Sequence, residues 1–420
     1  MKAPALHIQI FIALALAVIL GSLTNEQTEL FGVVIHDILD FFGKLFLNAL
    51  KMIVVPLIFS SIIVGVTGVA AKNNFARMGV KIMVYYVFTS TVSILVGLML
   101  VNLIQPGLID DGLAKLGDLS AEHDAVVRSL EKQEETSLFG IFLRMIPTNI
   151  VLAAAEGQLL GIIFFAAVFG IFLARLKAKL RSPMLNFWTA FNETMMKITL
   201  WIIKFSPYGV FALVGKVVMT SGLGVFVLLL QFFLTVLGGL AIHFLIVLPL
   251  ILYLVAGVNP YLYLRAMMPA VLMAFSTASS SSTLPLTINC ARNRVKASKE
   301  ASSFVLPLGA TINMDGTALY ECVAVIFIAQ MYGVDLSFTA QFTIVVLALM
   351  TSIGVAGVPA ASLVAITLIL TALQLPMEGI ALILAVDRVL DMCRTSVNVY
   401  SDSTAVAVLA RNEPLRPVRA

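Results

Sequence analysis

Asp387, Asp391, Arg394, Asn398 and Asp402 recur at i, i+4, i+7, i+11 and i+15 near the C-terminal end of the chain. At about 3.6 residues per turn these five polar groups share one narrow stripe of a single helix. If that helix lies in a bilayer, each ionisable group costs about 2.5–3.5 kcal/mol on the most lenient mid-membrane scale, so four on one face require a use. Arg394 offers a planar fork suited to a bidentate carboxylate. Asp391, one turn away, suits an ammonium group, and Asp402 with Asn398 presents hard oxygen ligands to a small cation. The competing reading is an internal salt-bridge ladder, but buried ion pairs stabilise weakly and are costly to maintain.

A second polar cluster is Asn313-Met314-Asp315-Gly316-Thr317, set in an otherwise apolar helix. Glycine beside Asn and Asp is a poor helix interior, so local unwinding that frees carbonyl oxygens is expected there. Carboxylate and carbonyl oxygens together suit a hard cation such as sodium. Taken alone, the motif reads equally well as a kink with self-satisfied polar groups. Glu321 follows one turn later, an acid in a helix too apolar to solvate a permanent charge, and a proton is its simplest neutraliser. The run Ser279-Ser280-Ser281-Ser282-Thr283 suits either tight helix packing or a hairpin tip whose backbone N–H groups face an anion. Tyr86, Thr89 and Ser90 are individually unremarkable. His243 and the 18 methionines are assigned to packing, and Pro56 and Pro207 to kinks.

The elements that must position these groups are set by composition. The 420 residues are 60% hydrophobic and 12% charged, against roughly 25% charged in soluble domains. Mean hydropathy is +1.02. Apolar runs at 7–23, 42–70, 78–104, 138–176, 184–221 and 223–257 approach or pass the roughly 20 residues that a spanning helix needs. From 217 to 264 there is no Asp, Glu, Lys or Arg. The sequence therefore predicts an all-α polytopic membrane protein. Net charge +4, spread over short loops, excludes nucleic-acid binding. Cys290, Cys322 and Cys393 are far apart and predict neither disulfides nor a zinc site.

Loop charge fixes the expected topology. Lys72, Arg77 and Lys81; Arg175, Lys177, Lys179 and Arg181; Arg292, Arg294, Lys296 and Lys299; and Arg411, Arg416 and Arg419 mark cytoplasmic segments. The acidic segments 24–40 and 106–137 face outward, which puts both termini in the cytoplasm. Six spans bring the chain back inside near 258–265. The stretch 266–291, broken by Pro269, Pro285 and the serine run, then reaches the most basic loop, so it must enter and leave on one face. The stretch 339–373, interrupted by Gly354, Gly357 and Pro359, turns back from the other side. Irregular backbone at membrane depth is tolerated where it lines a cavity, and a matched pair of interrupted segments points to a transporter binding site. The expected architecture is eight transmembrane helices plus two re-entrant helical hairpins, arranged as inverted repeats.

The strings SSSSTLPLT, TINMDGTALYE, SIGVAGVPAASL and DMCRTSVNVYSD, with YYVFTS and MIPTN, resemble the hallmarks of the glutamate/aspartate transporter family, the dicarboxylate/amino acid:cation symporters. The resemblance runs over essentially the whole chain. It implies a homotrimer in the cell (inner) membrane, working by an elevator mechanism. Residues 1–77 and 106–222 would form the scaffold. Residues 78–105 and 223–420 would form the transport domain, with hairpin 1 at about 258–291, span 7 at about 298–331, hairpin 2 at about 337–373 and span 8 at about 376–411. It implies an acidic amino acid substrate, with Asp391 on its amino group and Arg394 on its side-chain carboxylate. Thr317, Thr395, Asn398 and the backbone around Ser279, Ser280 and Val358 would complete the pocket.

Sodium, as cargo rather than catalytic cofactor, is implied at three places by the same resemblance. One uses Asp402 with carbonyls of Gly309, Asn313 and Asn398. A second uses Asp315, Asn313, Thr89, Ser90 and the Tyr86 carbonyl. The third uses carbonyls near Ser352, Ile353 and Val355 with Thr311. Three departures stand out. Ala278 and Met392 occupy positions where archaeal and animal members, respectively, carry an arginine. Glu321 follows the animal pattern, which suggests proton coupling. Ser362 stands where a hairpin glycine is usual. The function expected is sodium-coupled, and through Glu321 also proton-coupled, import of L-aspartate and/or L-glutamate. The alternative within the family is a C4-dicarboxylate or neutral amino acid symporter; the first should lack Asp391 and the second Arg394. An intramembrane serine hydrolase would need a base and a G-x-S-x-G turn around its serine, which is absent. A pure channel would not account for an amino acid pocket.

Overall fold

The computed structural model describes residues 6–25, 27–30, 32–70, 76–108, 146–156, 159–221, 224–354 and 361–409. Lys72, Val355, Gly357, Val358, Pro359, Arg411, Arg416, Arg419 and most of the acidic connection 106–137 lie outside them. The helices are α1 (Leu6–Leu23), α2 (Ile35–Ala70), α3 (Ala76–Ile104), α4 (Ile150–Ala155), α5 (Leu159–Arg175), α6 (Ala178–Ile203), α7 (Ser206–Ser221), α8 (Val225–Ile242), α9 (Leu248–Ile251), α10 (Pro260–Thr277), α11 (Ser280–Asn293), α12 (Lys299–Ile312), α13 (Asp315–Met331), α14 (Phe338–Gly354), α15 (Ala361–Ala372) and α16 (Ile380–Leu409). Among the described residues the only strands are the two-residue pair β1 (Glu29–Leu30) and β2 (Val33–Val34).

By length and composition, Ile35–Thr67, Lys81–Ile104, Phe226–Ala256 and Val305–Met331 can each cross a membrane. The pair Ala178–Ile203 and Ser206–Thr220, bent by 50° just before Pro207, makes a fifth if it is one span. Two of the eight expected spans are shorter apolar helices, α1 and α5. The run expected at 138–176 is not one helix: Asn149 caps α4 by accepting from the backbone N–H of Val151 and Leu152, and the chain restarts at α5. The 30-residue α16 is long enough, but Asp387, Arg388, Asp391, Arg394 and Asp402 set it apart from the purely apolar spans. Helix α2 starts at Ile35, seven residues ahead of the apolar run. Asp37 in its first turn suits the helix dipole, and Asp40 is held 2.7 Å from both Lys44 and Lys216.

The helices pack in two groups. In one, α1 lies on α7, and α2 packs on α5, α6 and α7. In the other, α13 is surrounded by α3, α8, α14 and α16, while α16 also carries α10, α11 and α12. Every residue of α13 except Gln330 is buried. A helix that is hydrophobic all round belongs in the interior, which places its few polar groups at the centre of this second group. Helices α10 and α11 pack on each other across a break at Ala278, whose φ of 48° is left-handed. Helices α14 and α15 also pack together. The first interrupted segment is therefore a helix–break–helix unit, as its Pro and Ser content predicts; in the second, α14 ends at Gly354 and α15 starts at Ala361, and residues 355–360 lie outside the described ones.

Candidate functional site

Span 7 is broken where the Asn-Met-Asp-Gly motif stands: α12 ends at Ile312 and α13 begins at Asp315. The break turns Asn313 and Asp315 toward α3 and α16. Ser90 Oγ donates to Asp315 Oδ1 at 2.6 Å, and Thr89 Oγ1 lies 3.3 Å from Oδ1, 3.4 Å from Asn313 Oδ1 and 3.3 Å from the Tyr86 carbonyl. The five groups expected around the second cation are thus linked in a chain of contacts through Thr89 and Asp315, and Asn313, Asp315 and Thr89 are fully buried. Asn313 Nδ2 donates to Asp402 Oδ1 at 2.9 Å, linking this cluster to the group expected to hold the first cation. A Cβ at Gly309 would lie 2.8 Å from Tyr86 Oη and collide with the Asp402 carboxylate. Only glycine lets that backbone approach the acid. The donor set is hard oxygen throughout, which fits sodium. Among the described residues no three His, Cys, Asp or Glu side chains gather as a transition-metal site. At the third expected place, Ser352 is buried, but Thr311 is exposed and bonds back to Leu308 in its own helix. Val355 and the Ile353 side chain lie outside what is described.

The stripe on α16 faces α13. Gly316 N–H donates to Asn398 Oδ1 at 2.8 Å, and Asn398 Nδ2 donates to Thr317 Oγ1 at 3.1 Å. A Cβ on Gly316 would sit 2.8 Å from the Arg394 carbonyl, so this glycine sets the closeness of the two helices. Arg394 is fully buried. Its Nη2 donates to Asp387 Oδ1 and Asp391 Oδ1, each at 3.0 Å, and its Nη1 to Ser362 Oγ at 2.8 Å, while Nε has no acceptor. Part of the stripe is therefore an internal ion-pair network after all, and it holds the guanidinium rigidly. Thr395 bonds to the Asp391 carbonyl of its own helix. At the other hairpin, Ser279 caps α11 by accepting from the Ser282 N–H, and Ser279 and Ser280 are buried where α10 and α11 lie against α16. Glu321 accepts from Thr351 Oγ1 at 2.7 Å through Oε2, and its buried Oε1 has no partner.

Comparison with known proteins decides what these sites belong to. The profile of the sodium:dicarboxylate symporter family matches residues 6–412. The chain belongs to that family. It is 35% identical over 406 residues to the proton/glutamate-aspartate symporter of Escherichia coli (strain K12), covering 96% of this chain and 92% of the relative. It is 35% identical over 406 residues to the proton/sodium-glutamate symport protein of Bacillus subtilis (strain 168), with the same coverage. It is 36% identical over 409 residues to an excitatory amino acid transporter of Caenorhabditis elegans, covering 88% of this chain and 80% of the relative. This family member is a multi-pass membrane transporter of the cation-coupled glutamate/aspartate symport group, and not an enzyme.

Several contacts of this symporter were not visible in its sequence. His243, assigned to packing, places Nε2 3.0 Å from Asp315 Oδ2, and both side chains are fully buried. That assignment is corrected: a π-helical turn at His243–Val247 interrupts the span, and the imidazole meets the Asp315 carboxylate. Ser401 Oγ also donates to Asp315 Oδ2, at 2.6 Å, and Ser93 Oγ donates to the Asp315 carbonyl. The Tyr320 ring lies 3.8 Å from the Arg394 guanidinium carbon, and its hydroxyl donates to Asp387 at 2.9 Å.

Proposed function

We propose that the chain is a secondary active symporter that imports L-aspartate and/or L-glutamate with sodium, and with protons through Glu321. The observation that carries this reading is Arg394, a buried guanidinium bonded to Asp391 and bordered by the Thr317–Asn398 bridge. Asp391 answers the substrate ammonium and Arg394 its distal carboxylate. A C4-dicarboxylate offers nothing to Asp391, and a neutral amino acid offers nothing to Arg394.

Charge supports cation coupling. Asp315, Asp387, Asp391 and Asp402 are all buried; Arg394 is buried against Asp387 and Asp391, and the half-buried Arg388 lies 3.9 Å from Asp391. With His243 neutral, the four ionised carboxylates outnumber these two arginines by two, and an acidic amino acid adds another negative charge. Burying such a set without counter-ions is prohibitive. Sodium at the Asp315 and Asp402 clusters supplies the missing charge beside the pocket, so substrate and cation bind as one unit.

The two packing groups support a division into a scaffold of spans 1, 2, 4 and 5 and a transport domain of spans 3 and 6 to 8 with both hairpins. In this reading the transport domain moves as an elevator within a homotrimer in the cell (inner) membrane, with both termini cytoplasmic. The experiment is radiolabelled uptake into proteoliposomes with sodium, proton and potassium gradients imposed one at a time. Aspartate or glutamate accumulation driven by a sodium gradient supports the proposal; accumulation of only succinate-like or neutral substrates rejects it.

A further inference from the structure

Asp391 faces two guanidinium groups that are held in different ways. Arg394 Nη2 donates to Asp391 Oδ1 at 3.0 Å. Arg394 is fixed there: it is fully buried, bonded also to Asp387 and Ser362, and stacked on the Tyr320 ring. Arg388 stands at the other oxygen, one turn earlier in α16, with Nη1 3.9 Å from Asp391 Oδ2. At that distance the two groups make a charge contact and not a hydrogen bond. The Arg388 side chain is 31% exposed and that of Asp391 12%. Among the described residues Arg388 makes no hydrogen bond and has no second ion-pair partner. It is a cation tethered beside the pocket by charge alone.

Its effect depends on what the ligand carries. An ammonium group approaching Asp391 meets a positive charge already at Oδ2, and like charges a few ångströms apart repel. A dicarboxylate brings no ammonium and is only attracted by the same guanidinium. Partial burial weakens screening by salt, so the difference persists at ordinary ionic strength. Arg388 therefore loosens the hold on an amino group while strengthening the hold on carboxylates.

We infer that Arg388 is a specificity-determining residue: it shares Asp391 with the substrate ammonium and so sets how strongly the transporter prefers an acidic amino acid over a dicarboxylate of the same length. The inference rests on the proposed acidic amino acid transport, because it needs Asp391 to receive the ammonium.

The test measures inhibition of labelled L-aspartate binding by unlabelled L-aspartate and by succinate, at fixed sodium, in purified wild type, Arg388→Gln and Arg388→Lys. Succinate should inhibit wild type measurably. The ratio of the succinate constant to the aspartate constant should rise by roughly tenfold in Arg388→Gln. Arg388→Lys, which keeps the charge, should return the ratio toward the wild-type value. A purely structural role would shift both constants together and leave the ratio unmoved. An unmoved ratio in Arg388→Gln, a Lys variant that behaves like Gln, or a wild type that succinate does not inhibit overturns the inference while aspartate binding stands. Wild type that binds neither aspartate nor glutamate overturns the transport reading, and this inference with it.

Discussion

His243 Nε2 and Asp315 Oδ2 stand 3.0 Å apart with neither side chain accessible, and they join span 6 to the broken centre of span 7. The carboxylate takes bonds from four side chains: Ser90 and Thr89 on one oxygen, Ser401 and His243 on the other. Removing the imidazole leaves Oδ2 with one partner fewer, at a cost of about 1–3 kcal/mol. His243→Ala should therefore lower the Tm in the absence of sodium. A cation at the cluster would then supply what the imidazole gave, so added sodium should raise the Tm of His243→Ala more than that of wild type. Thermal melts across a sodium series check this; identical sodium shifts in both proteins would count against the assignment.

Arg394→Cys should abolish aspartate and glutamate uptake, and neutral amino acids become candidate substrates. Loss of the guanidinium also strands Asp387 and Asp391, and breaking a buried pair costs about 3–5 kcal/mol. The variant is therefore scored on uptake of L-serine or L-cysteine as well, which requires folded protein. Arg394→Lys should fail with acidic substrates too, because an ammonium cannot serve Ser362, Asp387 and Asp391 from one rigid fork. Wild-type glutamate uptake by either variant would remove Arg394 from the pocket.

The stripe on α16 and the break in span 7 were legible because both are local. A period of 3.6 gathers Asp387, Asp391, Arg394, Asn398 and Asp402 without reference to any other helix, and Gly316 beside Asn313 and Asp315 announces a poor helix interior. His243, Tyr320, Ser401 and Thr351 were illegible for the opposite reason. Each looks like packing or a solitary hydroxyl within its own helix, and its meaning lies in a partner 30 to 86 residues away in most cases, as in His243–Asp315, Thr351–Glu321 and Ser401–Asp315. The all-helical architecture with several helices of membrane length was legible in the apolar composition. The early start of α2 was not, because Asp40 is accommodated by Lys216 from a distant helix.

Asp315→Asn and Asp402→Asn each replace a hard anionic ligand by an amide. The sodium dependence of substrate affinity should flatten or move to higher sodium in both. Gly309→Ala should act in the same direction without touching a charge, since its Cβ would press on Asp402 and Tyr86. Substrate titrations at several sodium concentrations check all three; unaltered sodium dependence in Asp315→Asn would dismiss that cluster as a cation site.

Glu321→Gln mimics the protonated acid. The Thr351 hydroxyl can still donate to the amide oxygen as it does to Oε2, so substrate exchange should persist while the response of net uptake to a pH gradient at fixed sodium disappears. A permanently protonated glutamate would predict no change. Uptake by reconstituted variant and wild type under equal pH gradients distinguishes them, and a retained wild-type response would show that Glu321 does not carry the proton.

The proposed cation clusters at Asp315 and Asp402 and the proposed pocket at Asp391 and Arg394 share the same two helices, linked through Asn313–Asp402 and Gly316–Asn398. Coupling between sites is reciprocal: if substrate favours the cation, the cation must favour substrate by the same factor. The most direct measurement is calorimetric titration of the purified wild-type protein with L-aspartate and with L-glutamate, in sodium and in choline at equal ionic strength. Affinity for at least one of them should fall steeply as sodium is withdrawn; equal affinity in the two buffers would contradict sodium-coupled symport.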